Sequence, residues 1–295
     1  SSAPLTPLWP LLRRRSPRRA TFSGSPTLVP TPGPKRLPYD AHVHTTNSDG
    51  HNPLASCVRA AEAVGLSCVA ITDHYWGGEP LAEWVKAIAQ ADAASPVTVV
   101  PGVEAVISDA SGRVSIDREQ GQLVRWVLAD FGARTEGIGI NPPATIEGFL
   151  HNVETAMCGA ARNPVVDAIA HPFNLGRFPA RANPEDLPRD LLVRVADTMA
   201  ANGCSYEIMN QAFWWHPDLS VVEYVAQIVP VLHVFADAGV NFVVGSDAHS
   251  CGAVGNLGFC KRLMDAAGLG MEHLIDLQEL NDRRRREQAR GQRLA

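Results

Sequence analysis

Asp40-Ala-His42-Val-His44 sits in a β-favouring run over residues 39–44. Alternate residues of a strand face the same way, so Asp40, His42 and His44 share one side of it. Two imidazoles side by side on a buried face leave polar nitrogens without partners, which a bound metal ion corrects. If that face is an interior, the imidazoles converge at the strand's C-terminal end and Asp40 can act behind them. His-x-His recurs in several kinds of metal-dependent barrel, so the rest of the chain has to decide what surrounds it.

Outward from this stretch the same pattern repeats. Further β-favouring runs occupy 67–72, 97–104, 123–128, 166–171, 204–209 and 241–246. Ala/Leu-rich helical stretches lie near 53–64, 80–94, 144–160, 188–202, 219–238 and 257–267. Alternation of this kind predicts a parallel sheet with helices outside, and seven strand–helix steps favour a closed or nearly closed barrel over an open doubly wound sheet. In parallel barrels the C-terminal strand ends form the active face. There the chain reads Thr72-Asp73-His74, Pro101-Gly102-Val103-Glu104, Ala170-His171-Pro172 and Gly245-Ser246-Asp247-Ala248-His249. Asp247 and His249 repeat the spacing of His42 and His44, and Asp49, in Ser48-Asp49-Gly50, can swing over the same mouth. Five strand ends that all carry nitrogen or oxygen donors do not follow from packing needs.

Composition narrows the function. With 295 residues and 45% hydrophobic content, one large catalytic core is the first expectation. The net charge of −5 hides a basic start: residues 1–38 hold seven Lys/Arg and no acid, which leaves −12 for the remainder. An acidic body argues against a nucleic-acid-binding surface and suits bound cations. The six cysteines form no C-x-x-C pair, and several lie in apolar runs, as expected for buried thiols in a reducing cytoplasm. No apolar stretch is long enough to span a membrane. Residues 1–36, rich in Pro, Ser and Arg, read as a disordered tail; 37–280 as the catalytic domain; and 281–295, with Arg283 to Arg286, as a charged, solvated tail.

The set DAHVH…SDG, ITDHY, PGVE, AHP and GSDAH, spread over about residues 37–265, resembles the PHP (polymerase and histidinol phosphatase) family of metal-dependent phosphoesterases. The resemblance implies an α/β fold, a distorted (β/α)7 TIM-like barrel holding its metal site at the C-terminal ends of the strands, with two or three divalent ions (Zn, Mn or Fe). Matched residue by residue, it implies that His42, His44, Glu104 and Asp247 hold one ion, that Glu104 bridges to a second held with His171, and that Asp49, His74 and His249 hold a third. Glu104, Asp247 and His249 are then the expected catalytic residues. The family commonly supplies another histidine near the strand after the Glu; here Gln122-Leu-Val-Arg-Trp-Val-Leu-Ala-Asp130 puts Arg125 and Trp126 in that region, so the second site is expected to lack a ligand. His151 does not replace it, because its helix buries the opposite face.

A His/carboxylate cage without thiolates suits Zn, Mn or Fe(II). The expected reaction is hydrolysis of a phosphate ester by attack of metal-bound hydroxide, the substrate being a small phosphorylated metabolite, a nucleotide or an oligonucleotide end. Arg177 is a candidate phosphate clamp; Asn210, Trp214 and His216, after the sixth strand, are further candidate substrate contacts, and adjacent Trp side chains serve equally as stacking platforms or as a packed lid. Asp40 and Asp73 are expected to orient ligands rather than bind metal. Two other classes stay open. One is a metal-dependent amidohydrolase, which would leave Asp49 and His74 without a role; the other is an eroded metal-binding barrel without catalysis, which the Trp126 departure favours.

Overall fold

The computed structural model describes residues 37–291, and the tail expected over 1–36 lies outside them. The element order is β1 (Tyr39–Asp40), α1 (Leu54–Val64), β2 (Cys68–Ile71), β3 (His74–Tyr75), α2 (Leu81–Ala94), β4 (Thr98–Val106), α3 (Arg118–Gly121), β5 (Trp126–Asp130), α4 (Ile146–Ala161), β6 (Ala168–Ile169), α5 (Arg189–Asn202), β7 (Ser205–Met209), α6 (Val221–Asp237), β8 (Phe242–Gly245), α7 (Gly258–Ala266) and α8 (Leu277–Ala289). All neighbouring strands pair in parallel, in the order β1-β2-β4-β5-β6-β7-β8. β2 covers the first half of β4 and β3 the second, so these two short strands act as one interrupted stave. The ring closes where Ala41 N donates to Val244 O and His44 N to Ala248 O, at 3.0 and 2.9 Å. The expected seven-stave α/β barrel is therefore what the chain forms.

Strands buried on both faces explain the near-continuous apolar runs: β2 is Cys-Val-Ala-Ile and β8 begins Phe-Val-Val, with every residue buried. The helices begin and end where local chemistry dictates. Ser220 and Glu223 form a capping box at the start of α6, Thr145 caps α4, and Gly65 and Gly203 take the left-handed conformation that ends α1 and α5.

Two expectations need correction. β5 covers 126–130 rather than 123–128, so Trp126 begins the strand, deep in the barrel floor. Its ring is fully buried, and its indole N–H donates to Ala41 O at 3.1 Å. The charged end is not simply solvated either. α8 runs through the boundary drawn at 280/281 and closes the N-terminal end of the barrel, where Arg284 makes a two-pronged ion pair with the buried Asp167. Gln288 donates to carbonyls at the foot of β5, and the Arg125 guanidinium donates to the Gln288 and Asn281 side-chain oxygens.

Candidate metal centre

At the opposite end of the barrel, the strand termini aim their side chains at one another. His42 Nε2 and His44 Nε2 are 3.0 Å apart. Glu104 Oε2 lies 3.5 and 3.4 Å from these two nitrogens, and Asp247 Oδ1 lies 3.6 and 3.3 Å from them. A tetrahedral ion with bonds of about 2.1 Å needs donor–donor separations of about 3.4 Å, so His42, His44 and Glu104 have the spacing of a metal site, with Asp247 at a similar distance from both imidazoles. His42 and His44 are fully buried and Glu104 almost so.

Charge gives an independent test of fit. Burial alone would depress the His42 pKa, but Glu207, Glu104 and Asp247 reverse this and hold it well above the ordinary imidazole value. His74 is likewise pushed up to about 9 against its own burial, chiefly by Glu104. Burial and the neighbouring His42 hold His44 below its ordinary value. Burial would raise Glu104 and Asp247, yet the facing imidazoles, His42 first, bring both below the carboxylate range. Without an ion, the cluster gathers protons to balance its buried carboxylates; a divalent cation supplies that charge directly and displaces them. The His74 Nδ1 atom repeats the point. It lies 2.8 Å from Glu104 Oε2, but off the direction a hydrogen bond requires, which leaves it buried and unpartnered.

Glu104 extends the centre in a second direction. Its Oε1 is 3.2 Å from His171 Nε2, and His171 Nδ1 is 3.6 Å from Asp130 Oδ1. Glu104, Asp130 and His171 thus form a second group able to hold a cation. Asp130 was not anticipated. It occupies the mouth end of β5, four residues beyond Trp126, and a strand drawn over 123–128 leaves it outside. The signal was present as an acid ending an apolar run, as Glu104 and Asp73 do. A third group joins Asp49 to His44, His74 and His249, with nitrogen–oxygen separations of 3.7, 3.5 and 3.2 Å. Asp49 reaches it because Asp73 ties down the preceding turn, accepting from Thr45 N, Thr45 Oγ1 and Ser48 Oγ at 2.6, 2.7 and 2.8 Å. Asp40 works in the same indirect way, accepting from Ser246 N, Ser246 Oγ and Gly255 N to pin β8 against β1.

Glu207 also escaped sequence reasoning, since a lone acid in Ser-Tyr-Glu-Ile-Met looks like an ordinary strand residue. It faces inward, 2.8 Å from His42 Nδ1, and accepts from the His171 backbone N–H at 2.7 Å. By accepting from Nδ1–H it holds the proton on that nitrogen and leaves the His42 Nε2 lone pair for the metal site. The contact depends on Gly245, where a Cβ would stand 2.1 Å from Glu207 Oε1 and 2.6 Å from His42 Cβ. The backbone is strained at this point as well. His171, Phe173 and Asp247 have φ of 30°, 62° and 54°, and strain of this kind persists where surrounding bonds over-determine it. Glu207→Gln is expected to weaken metal binding ~10–100-fold with the fold intact; unchanged affinity in equilibrium dialysis would remove Glu207 from the centre.

The candidate substrate residues separate. Arg177 faces the second group: its Nη2 donates to Asp130 Oδ1 and Phe131 O at 3.1 and 3.0 Å, and its guanidinium lies 4.2 Å over the Trp215 ring. Trp214 is exposed. Asn210 and His216 are not placed to meet a ligand. Asn210 is buried and accepts from Phe259 N, which fixes the start of α7; His216 is buried, pairs with Asn183 and is lowered by burial to about 4. On the other side of the mouth Trp76 stacks on His74 at 5.4 Å, with the exposed Arg134 over it at 4.5 Å. Arg134 went unnoticed in the sequence because it sits in the long loop after β5.

A closed parallel barrel whose strand ends gather five imidazoles and four carboxylates into cation-sized groups has the form of a metal-dependent barrel hydrolase. More narrowly, residues 40–156 match the PHP domain. It is similar to proteins named "Probable phosphatase" from Vibrio campbellii (25% identical, covering 81% of this chain and 88% of the relative) and from Caldanaerobacter subterraneus subsp. tengcongensis (28% identical, 82% and 87%). In fold it is similar to histidinol phosphate phosphatase from Lactococcus lactis, solved with zinc, L-histidinol and phosphate (18% identical, 79% and 94% covered, TM-score 0.59).

Proposed function

We propose that this protein is a metal-dependent phosphoesterase acting on a small phosphorylated molecule. The observation that carries this reading is Glu104: one buried carboxylate whose two oxygens face different imidazole groups, Oε2 toward His42 and His44 and Oε1 toward His171. A carboxylate shared in this way suits neighbouring divalent ions. When bound, such ions acidify water and stabilise the attacking and leaving oxygens of an in-line displacement at phosphorus. The donor set, free of thiolate, fits two or three ions of Zn, Mn or Fe.

The chain's own residues supply the rest. Glu104 and Asp247 hold the reacting centre in register across the barrel, and His249, about one-third exposed at the rim, is the imidazole best placed to exchange a proton with a departing group. Arg177 and Arg134 provide positive charge at the mouth for an anionic substrate, each backed by a Trp face. Phosphorylated metabolites are the first substrate class, and nucleotides are a second that Trp76 or Trp214 could stack upon. All six cysteines are free thiols and, among the described residues, no helix is long and apolar enough to cross a membrane, which supports a cytoplasmic enzyme.

A phosphate-release screen over phosphomonoesters, nucleotides and short oligonucleotides, with Zn²⁺ or Mn²⁺ supplied, tests the reading. Turnover of at least one phosphate ester is expected. Stoichiometric metal with amide or lactone hydrolysis and no phosphate release would replace it with an amidohydrolase.

A further inference from the structure

We propose that Arg177 is a resident cation of the second group, competing with a divalent ion for Asp130 and leaving Asp130 free only when a phosphate takes up its guanidinium. The inference rests on the phosphoesterase reading for the phosphate step, but not for the competition itself. The key observation is that one carboxylate is asked for twice. Asp130 completes the second cation-sized group with Glu104 and His171, and its Oδ1 accepts from Arg177 Nη2 at 3.1 Å.

The guanidinium is built into this position. Arg177 ends a short 3-10 turn over Leu175–Arg177. A Cβ at Gly176 would stand 2.1 Å from Trp215 O, so the turn is pressed against the segment that carries Trp215. The guanidinium plane rests 4.2 Å over the Trp215 ring, and that ring meets His171 edge-on at 4.7 Å. Nη2 also donates to Phe131 O. Gly132 supplies the space beside the pair: a Cβ there would be 3.0 Å from Asp130 Oδ2 and 3.9 Å from Nη2.

A divalent ion bonded to Asp130 at about 2.1 Å would sit close to this fixed positive charge, and like charges at such range in a poorly solvated site repel strongly. Arg177 is permanently charged and cannot relieve the repulsion by losing a proton. It can do so only by moving to another anion. The Arg177 side chain is 27% exposed, so a phosphate entering from the mouth can reach it. Substrate binding and filling of the second group are thereby coupled, and the coupling is reciprocal.

The test is metal binding by the full-length protein, by equilibrium dialysis with Zn²⁺ alone and then with inorganic phosphate. In Arg177→Met, which keeps an apolar stem on Trp215, the weakest-held ion is expected to bind at least ~10-fold tighter than in wild type. Inorganic phosphate is expected to tighten that ion in wild type and to have no such effect in Arg177→Met. Asp130→Asn provides a second route should Arg177→Met fold poorly: the variant is expected to lose the phosphate effect while retaining the more tightly held ions. Equal affinities in wild type and Arg177→Met, or a phosphate effect that survives in either variant, would overturn the proposal. None of these readings requires turnover, so a protein that releases no phosphate from any ester still reports on the Arg177 competition.

Discussion

Glu104→Ala is expected to reduce phosphate release by at least ~1,000-fold, a rise of about 4 kcal/mol in the activation barrier. The size follows from how much converges on this one side chain. Glu104 lies within 3.5 Å of His42, His44, His74 and His171, and both of its oxygens are engaged. Its removal leaves four imidazoles with less opposing charge, so they repel both one another and any incoming ion. Metal content is therefore expected to fall together with activity, whereas the fold, secured by strand pairing below the site, persists. Glu104→Gln separates shape from charge: it keeps the volume, offers one oxygen donor instead of two, and is expected to lose most of the same activity. Circular dichroism beside metal analysis and a phosphate assay checks all three points. Retained metal in Glu104→Ala would show that the two groups do not share this residue.

The second large effect lies at the other end of the barrel and concerns stability. Arg284→Met is expected to cost about 3–5 kcal/mol, because it leaves the Asp167 carboxylate buried without its partner. For a domain of this size that lowers the melting temperature by about 6–15 °C. Asp167 sits at the foot of β6 with 7% of its side chain exposed, accepts from Val127 N at 2.8 Å, and receives both prongs of Arg284. The double variant Arg284→Met with Asp167→Asn is expected to recover much of the loss, since an amide is far less costly to bury than an unpaired charge. Thermal melts of the single and double variants measure this. A melting point unchanged in Arg284→Met would mean that α8 does not help to hold the barrel floor.

Strand ends with chemistry on them make the fold and most of the candidate site legible in the sequence. His42, His44, His74, Glu104, His171, Asp247 and His249 each close an apolar, β-favouring run, and the structure brings them together at one mouth. What escaped had physical reasons. β5 was misplaced because Leu123-Val-Arg-Trp-Val has the same β propensity as the true strand, and only pairing with β4 selects Trp126–Asp130. That shift of register concealed Asp130. Glu207 has no neighbour in sequence that marks it; its importance comes from Gly245 and His42, brought beside it by the closing of the ring. α8 looks solvated because its Arg side chains carry long apolar stems, and a single one, Arg284, turns inward to a buried acid. Asn210 and His216 lie near the expected loop, but local hydrogen bonds turn them into the protein, where Trp215 alone reaches His171.

On the proposed function, the imidazole–carboxylate cluster is a metal site at which phosphate esters are hydrolysed. The most direct measurement takes chelator-stripped protein, returns Zn²⁺ or Mn²⁺ stepwise, and determines bound ions per chain and phosphate released on the same samples. Phosphate release that is absent from the stripped protein and rises with the ions bound is the predicted result. Full phosphate release from stripped protein, unaltered as the cage fills, would contradict it.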